Sequence, residues 1–320
     1  CVRKQLEQFL DFDCGDNSAE MVNNYDWFQG MSFLEFIRDV GKHISVNYMM
    51  AKDSVKSRLE TGMSFTEFSY QLVQGYDFYH LNKHHNCIVQ LGGSDQWGNI
   101  VTGTELIRRK GGGEAYAVTT PLIKKADGTK FGKTESGNVW LDAEKTSPYE
   151  FYQFWLNVAD ADAYNFLRFF TFLSPAEITD IEESDKQAQG RPEAQGILAR
   201  EVTELVHGKA GLDAAVRISE ALFSGDISRL TEADLQQLEL DGLPCTTMDS
   251  GGLGIVDALV STELARSNKM AREFLKNNAV SVNGQAINDV EFALASGGAL
   301  HGKYFILRRG KKMFHLLKIG

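Results

Sequence analysis

The sequence predicts an α/β protein with a doubly wound parallel sheet, followed by an all-helical domain and a small α+β module. Three observations carry this prediction. Residues 1–145 alternate between helical and strand patterns, residues 146–245 show helical spacing without strand signals, and residues 253–320 combine short helices with strands. Strands that alternate with helices are typical of a parallel sheet, because a parallel connection needs a helical crossover.

The elements of residues 1–145 follow from apolar spacing and from turn residues. Ser64 is suited to cap a long helix, and Gly92-Gly93 ends a strand-like run. The predicted helices are Ser32–Val40, Val46–Leu59, Phe65–Leu81 and Ile100–Arg109. The predicted strands are Cys87–Leu91, which we expect to be buried, Ala115–Leu122 and Val139–Leu141.

The remaining elements divide into a helical and a mixed group. Pro148 stands in the first turn of a helix, where its missing N–H costs nothing. The predicted helices before the tail are Tyr149–Asn157, Ala163–Phe172, Ala194–Val206 and Ala214–Phe223. Thr246–Gly254 is rich in Gly, Ser and Thr and predicts a linker. The tail is predicted to contain helices Ile255–Val260 and Asn268–Asn277, and strands Val280–Val282, Tyr304–Leu307 and Met313–Leu317.

Composition and charge exclude several classes of protein. With 43% hydrophobic and 24% charged residues among 320, the chain is not a collagen, a coiled-coil rod or a disordered protein. It has no run of about 20 apolar residues that would span a membrane, and its four cysteines form no CxxC pair. We therefore expect a cytoplasmic protein without a disulfide framework.

The charge is distributed unevenly along the chain. Leu253–Gly320 holds ten Lys/Arg against five Asp/Glu, so this tail carries +5 while the whole chain carries −10. Within the tail, the basic residues group as Lys269 and Arg272, and as Arg308, Arg309, Lys311 and Lys312. Such clusters suit contact with nucleic-acid phosphates, although a basic solvated surface explains the same count.

Three polar residues recur on one face of a predicted helix. Tyr70, Gln74 and Asp77 stand at positions i, i+4 and i+7 of a segment rich in Phe and Leu. They are consistent with three surface residues. Alternatively, they form the polar floor of a small-molecule pocket, in which the Asp77 carboxylate accepts a hydrogen bond from a hydroxyl or an ammonium group.

Two glycine-containing loops are candidates for binding nucleotide. Gly92–Asn99 follows a predicted strand and precedes a helix, the position at which open α/β sheets bind ligands, and Asp95 is suited to accept from ribose hydroxyls. A tight turn capped by Asp95 is the alternative. Lys124–Thr134 holds four lysines that are able to neutralise a triphosphate, or that form a solvated basic loop.

Taken in order, these motifs closely resemble those of the bacterial tyrosyl-tRNA synthetase family. The resemblance rests on Tyr70-xxx-Gln74-xx-Asp77, on Gly92–Asn99 and on Lys130–Thr134, and it extends over the whole chain. It implies the second part of a class I Rossmann-like domain over residues 1–145, a helical anticodon-region domain over 146–245, and a small RNA-binding domain over 253–320. The implied activity is ATP-dependent formation of tyrosyl-adenylate, followed by transfer of tyrosine to tRNA(Tyr).

The resemblance also implies roles on the tyrosine side of the site. The residue that matches Asp77 accepts from the phenol hydroxyl. Those that match Tyr70 and Gln74 hold the α-amino group, and Asn24 and Trp27 match a supporting shell. Such a pocket rejects phenylalanine, because its buried polar groups would then lack partners.

On the nucleotide side, the resemblance implies that Gly93 and Asp95 face the adenylate ribose and that Gln96 lies near the reacting carboxylate. The pyrophosphate is stabilised by residues of the Lys-Met-Ser-Lys-Ser-like loop, namely Lys130, Lys133 and Thr134. We expect ATP as a substrate together with Mg²⁺, and neither a dedicated metal site nor a tightly bound organic cofactor.

The family resemblance further implies a homodimer that pairs through residues 28–60 and does not bind a membrane. One family feature is absent from the sequence, the His-Ile-Gly-His-like signature of the first nucleotide-binding half. Roughly a hundred residues, about half of a doubly wound domain, are expected ahead of residue 1. We therefore expect this chain alone to activate tyrosine inefficiently.

Two other functions remain open at this point. A synthetase-derived RNA-binding protein would have kept the basic tail and lost activation, although Tyr70, Gln74, Asp77 and Lys133 are all present. A tryptophanyl synthetase shares the class I architecture, but the polar face that contains Asp77 and the basic tail favour tyrosine.

Overall fold

A computed structural model describes residues 2–58, 60–111, 113–129, 131, 133–134, 137–190, 192–249 and 251–320. The chain forms two compact units, one of residues 10–131 and the other of residues 132–320 together with residues 1–9. The predicted division at residues 145 and 245–253 stays a prediction. Among the described residues, no helix combines the length and the apolar character needed to cross a membrane.

Helices and strands are numbered in chain order. The helices are α1 Val2–Leu6, α2 Tyr25–Phe28, α3 Phe33–Asp39, α4 Val46–Met50, α5 Asp53–Lys56, α6 Phe65–His85, α7 Trp97–Arg109, α8 Pro148–Leu156, α9 Asp160–Phe170, α10 Pro175–Gln187, α11 Ala194–Ser224, α12 Glu232–Gln237, α13 Ile255–Ser261 and α14 Asn268–Lys276. The strands are β1 Val89–Gly93, β2 Tyr116–Thr120, β3 Lys133–Thr134, β4 Gly137–Asn138, β5 Cys245–Met248, β6 Leu253–Gly254, β7 Val280–Val282, β8 Gln285–Ala286, β9 Ala293–Leu294, β10 Tyr304–Arg309 and β11 Met313–Ile319.

The unit of residues 10–131 is built on a β1–α7–β2 crossover. Strands β1 and β2 pair in parallel, from Val89 opposite Tyr116 to Gly93 opposite Thr120, which confirms the predicted parallel arrangement. Helix α6 packs closely on α7, where a Cβ added to Gly103 would lie 2.8 Å from Phe78 Cβ. Glycine at residue 103 therefore permits the close approach of the two helices that hold the candidate site.

Helix α6 begins as the sequence predicts. The Ser64 hydroxyl accepts from the Glu67 backbone N–H, while the Glu67 carboxylate accepts from the Ser64 backbone N–H. This capping box satisfies two N–H groups that the first helical turn leaves free. The helix ends at His85, beyond the predicted Leu81, and Asn86 follows in the left-handed conformation.

Several predicted elements differ from the structure. The helix predicted over Val46–Leu59 is two short helices, α4 and α5, separated by Ala51 and Lys52. Strand β1 is not buried, because Leu91 is 69% exposed. Val139–Leu141 is not a strand, and the predicted linker Thr246–Gly254 instead contains most of β5. For Val139–Leu141 and for Thr246–Gly254, strand formation depends on pairing with a distant segment. Local composition does not show whether such a partner exists.

In the unit of residues 132–320, α11 packs against α8 and α9. Pro148 opens α8 in its first turn, as the sequence indicates, and the Ser147 hydroxyl accepts from the Glu150 N–H. The two helices predicted within residues 194–223 follow each other directly in α11. They are separated by a kink at Gly208, which has the non-helical angles φ 69° and ψ 175°. Glycine tolerates this backbone conformation, so the break falls there.

The tail forms a five-stranded sheet in the order β5-β11-β10-β7-β8. On one side, Phe305, Leu307 and Leu317 pack with α13 and α14 in a core that includes Leu259 and Leu275. On the other side, Tyr304, Ile306 and Leu316 pack with Ile218, Leu222 and Leu235, which lie on α11 and α12. The sheet therefore shares an apolar core with the preceding helical region.

Candidate active site

Asp77 is held by two hydrogen bonds that come from residues about fifty positions earlier. Trp27 Nε1 donates to Asp77 Oδ1 at 2.9 Å, and Asn24 Nδ2 donates to Asp77 Oδ2 at 3.3 Å. Burial raises the pKa of the Asp77 carboxyl, while both hydrogen bonds act in the opposite direction. A carboxylate has further lone pairs, so Asp77 keeps the capacity to accept a hydrogen bond from a ligand.

Gln74 belongs to a hydrogen-bonded chain that joins α6 to the turn after β1. Asn99 Nδ2 donates to Gln74 Oε1 at 3.0 Å and to Gln96 Oε1 at 3.3 Å. Gln96 Nε2 donates in turn to Asp95 Oδ2 at 3.0 Å. The sequence analysis missed the part that Asn99 plays here. This residue fixes the polar groups of the helix against those of the turn.

The turn after β1 depends on glycine at residue 93. A Cβ added there would lie 2.6 Å from Asp95 Oδ1, closer than real Cβ contacts. Asp95 does not occupy a cap position: Gly93 precedes the short 3-10 helix Ser94–Gln96, and Gln96 precedes α7. The alternative of an Asp95-capped turn is therefore wrong, and the carboxylate is oriented by Gln96 instead.

An open cavity of about 800 Å³ lies beside this turn, within the unit of residues 10–131. Its wall includes Tyr70, which is 55% exposed, and Asp95 and Gln96. Asp77 and Gln74 are not part of that wall. Gln71 is, and it is 3% exposed, with no hydrogen-bond partner for either side-chain polar atom among the described residues.

The basic residues of the tail lie on α14 and on the β10–β11 hairpin. Arg309 Nη1 donates to the Leu264 carbonyl at 2.8 Å, and its guanidinium lies 5.1 Å from the centre of the Phe274 ring on α14. Arg308 Nε donates to the Gly310 carbonyl at 2.9 Å. The exposed cations of the two elements are Lys269, Arg272, Lys276, Lys311 and Lys312. Arg309 thus connects the two basic clusters.

Family models and relatives cover nearly all of the chain. The model described as tRNA synthetases class I (W and Y) matches residues 2–224, and the tyrosine–tRNA ligase SYY-like C-terminal domain matches residues 234–317. A tyrosine–tRNA ligase of Aliivibrio fischeri strain MJ11 is 59% identical over 98% of this chain and 75% of its own length. The chain belongs to the tyrosine–tRNA ligase family.

Other members of the family agree. The tyrosine–tRNA ligase of Chromobacterium violaceum is 56% identical over 99% of this chain and 75% of its own length. Among solved structures, the C-terminally truncated mitochondrial tyrosyl-tRNA synthetase of Aspergillus nidulans matches with a TM-score of 0.55 and 33% identity. That match covers 69% of this chain and 65% of the other. The class I fold and the tyrosine family that the motifs indicated are confirmed.

The loop that resembles the family's Lys-Met-Ser-Lys-Ser motif is only partly described. Lys130 lies outside the described residues. Lys133 and Thr134 form β3, which pairs antiparallel with β4 through Lys133 opposite Asn138. The structure thus places the backbone of two of the three catalytic residues predicted on this loop.

Proposed function

We propose that this chain recognises tyrosine for an ATP-dependent tyrosine–tRNA ligase, through Asp77. The observation that carries the proposal is the double support of this carboxylate by Trp27 and Asn24. With its two oxygens oriented in this way, Asp77 accepts a hydrogen bond from the phenol hydroxyl of tyrosine. Phenylalanine makes no such bond and would leave the desolvated carboxylate without its ligand partner, which disfavours binding.

At the other end of the amino acid, Tyr70 and Gln74 hold the α-amino group. Tyr70 lies about two turns before Asp77 on α6, and Gln74 lies about one turn before it. These positions support the assignment, because the helix rises about 1.5 Å per residue. Seven residues then span roughly 10 Å, which suits the length of tyrosine from hydroxyl to amino group. The Asn99 bridge connects Gln74 to the turn and thus to the nucleotide side.

On the nucleotide side, Gly93 allows the adenylate ribose to approach, and Asp95 accepts from its hydroxyls. Gln96 lies near the reacting carboxylate. Lys130, Lys133 and Thr134 stabilise charge on the pyrophosphate as it leaves, so positioning and electrostatics drive the reaction without a protein nucleophile. Among the described residues no group of three His, Cys, Asp or Glu is placed to hold a metal. We assign Mg²⁺ to the ATP phosphates, as part of the substrate, because Mg²⁺ is usually held by substrate phosphates together with one or two carboxylates.

We further propose that the tail binds tRNA(Tyr) in the cytoplasm. Lys269, Arg272, Lys311 and Lys312 are exposed on a module with a net charge of +5, as contact with phosphates requires. Arg308 and Arg309 complete this basic surface, although both also make hydrogen bonds within the module.

A homodimer is proposed through the segment of residues 28–60. Helix α3 exposes Phe33, Leu34 and Ile37, of which Leu34 is 78% exposed, and such adjacent apolar side chains favour association. We expect sedimentation at micromolar concentration to give the mass of two chains. A Leu34→Glu variant should shift the mass toward one chain, whereas Val2→Glu, which alters an exposed apolar residue elsewhere, should not. A sedimentation mass of one chain for the unaltered protein contradicts the proposal.

The activity is tested by tyrosine-dependent exchange of pyrophosphate into ATP. The 320-residue chain is compared with a version that includes any sequence its gene encodes ahead of residue 1. We expect exchange in the longer version and little in the chain alone. If neither version exchanges while tRNA(Tyr) still binds, the function is that of a synthetase-derived RNA-binding protein. Efficient exchange with tryptophan instead of tyrosine would overturn the amino-acid assignment.

A further inference from the structure

Trp27 is held by two contacts, the hydrogen bond to Asp77 and a stacking contact with His80. While its Nε1 donates to Asp77, the face of its indole lies on the His80 imidazole, with ring centres 4.4 Å apart and an angle of 17° between the planes. Asp77 and His80 lie three residues apart on α6, so one helix provides both the acceptor and the stacking ring.

The stack matters because Trp27 has little support within its own helix. Helix α2 is four residues long, and Asn24 at its N-cap makes no capping hydrogen bond through its side chain to the described backbone. A ring N–H donates well only when it points at the acceptor, and the hydrogen bond weakens as the angle closes. A second ring parallel to the indole restricts the rotations that would turn Nε1 away from Asp77.

We propose that His80 is a positioning residue for tyrosine binding, because its ring holds Trp27 in the orientation that fixes Asp77. The proposal rests on the proposed role of Asp77 toward the phenol. His80 touches neither substrate in this assignment. It acts through Trp27, and its effect should therefore appear in the affinity for tyrosine.

The surroundings of His80 make the stack dependent on pH. On α6, the rings of His84, Tyr76 and His85 lie 4.4, 6.2 and 6.4 Å from it, and Lys83 and Asp77 are close in sequence. From the segment before α2, Glu20 Oε2 lies 3.3 Å from His85 Nδ1.

The pKa of His80 is lowered, first by burial and then by His84, His85 and Lys83. The ring is therefore neutral near pH 7. As the pH falls and the ring becomes charged, burial and the adjacent cations disfavour its stacked position.

The test measures KM for tyrosine and for ATP in exchange, with any sequence encoded ahead of residue 1 present. We expect His80→Ala to raise KM for tyrosine about 3- to 10-fold, the range that one aromatic pair supplies, with KM for ATP and kcat nearly unchanged. His80→Phe keeps a planar ring and should restore the KM. His85→Ala is the matched control, since His85 pairs with Glu20 and no stack with Trp27 is seen among the described ring contacts.

A pH series separates positioning from simple packing. As the pH is lowered from 7.5, KM for tyrosine should rise more in the unaltered enzyme than in His80→Phe once the imidazole becomes charged, because phenylalanine has no group that takes up a proton. The rise left in the phenylalanine variant includes the component from Asp77, which Asp77→Asn removes.

An unchanged KM in His80→Ala, a phenylalanine variant no better than alanine, or an equal rise in KM for ATP overturns the proposal. If Asp77→Asn loses tyrosine activation while His80→Ala leaves the KM for tyrosine unchanged, only this inference is rejected. If Asp77→Asn activates tyrosine as well as the unaltered enzyme, the proposed function of Asp77 is itself rejected.

Discussion

Replacement of Asp77 by asparagine is expected to lower kcat/KM for tyrosine about 100-fold, which corresponds to about 3 kcal/mol. Asparagine has one oxygen, so it cannot accept from Trp27, Asn24 and the phenol as a carboxylate does. At least one buried donor would lose its partner, and the charge-assisted bond to the ligand would be weakened. Exchange kinetics at varied tyrosine concentration, with any sequence encoded ahead of residue 1 present, measure the effect.

The pH dependence of the same enzyme gives an independent check. Because burial raises the pKa of Asp77, the carboxyl takes up its proton at a higher pH than an ordinary aspartate. The affinity for tyrosine should therefore decline as the pH falls toward that raised pKa. Asp77→Asn should lose this component. Asp213→Asn removes a surface pair with Lys209, and it should change neither the rate nor its pH profile.

Replacement of Gly284 by alanine is expected to destabilise the unit of residues 132–320 by about 3 kcal/mol or more. Gly284 has φ +82°, and a Cβ there would lie 2.2 Å from the carbonyl oxygen of Gly225, at the end of α11. Backbone cannot move aside as a flexible side chain does, so the hairpin and the helix end would have to separate. Chemical unfolding followed by circular dichroism measures the loss.

Gly310→Ala is the matched control for this prediction. Gly310 also has a positive φ, +61°, but an added Cβ would meet no atom within 4 Å. It should therefore cost only the intrinsic conformational penalty, about 1 kcal/mol. Equal losses in the two variants would show that the contact with Gly225 contributes nothing.

Local sequence signals predicted the elements that local chemistry determines. Ser64 and Glu67 fix the start of α6, and Pro148 fixes the start of α8. The pair Asn283-Gly284, both with positive φ, forms the two-residue turn of the β7–β8 hairpin, as this dipeptide favours, although the sequence analysis did not assign this turn. In each case a few adjacent residues contain all the information.

Elements and contacts that depend on distant partners could not be predicted in this way. Thr246–Met248 belongs to the predicted linker, yet it pairs with Leu317–Ile319, about seventy residues later. The Asn99 bridge depends on the packing of α7 against α6. The support of Asp77 by Asn24 and Trp27 was indicated only by resemblance to a family, because no spacing rule connects residues fifty positions apart.

The order of strands in the tail has a consequence for how the protein folds during its synthesis on the ribosome. In the order β5-β11-β10-β7-β8, the two strands synthesised last occupy inner positions, and β5 has β11 as its neighbour. Until β10 and β11 have left the exit tunnel, β5 and the apolar face of α11 have no sheet to pack against. Completion of this core therefore waits until Ile319 has emerged, and a chain that stops before β10 leaves that helix face open to water.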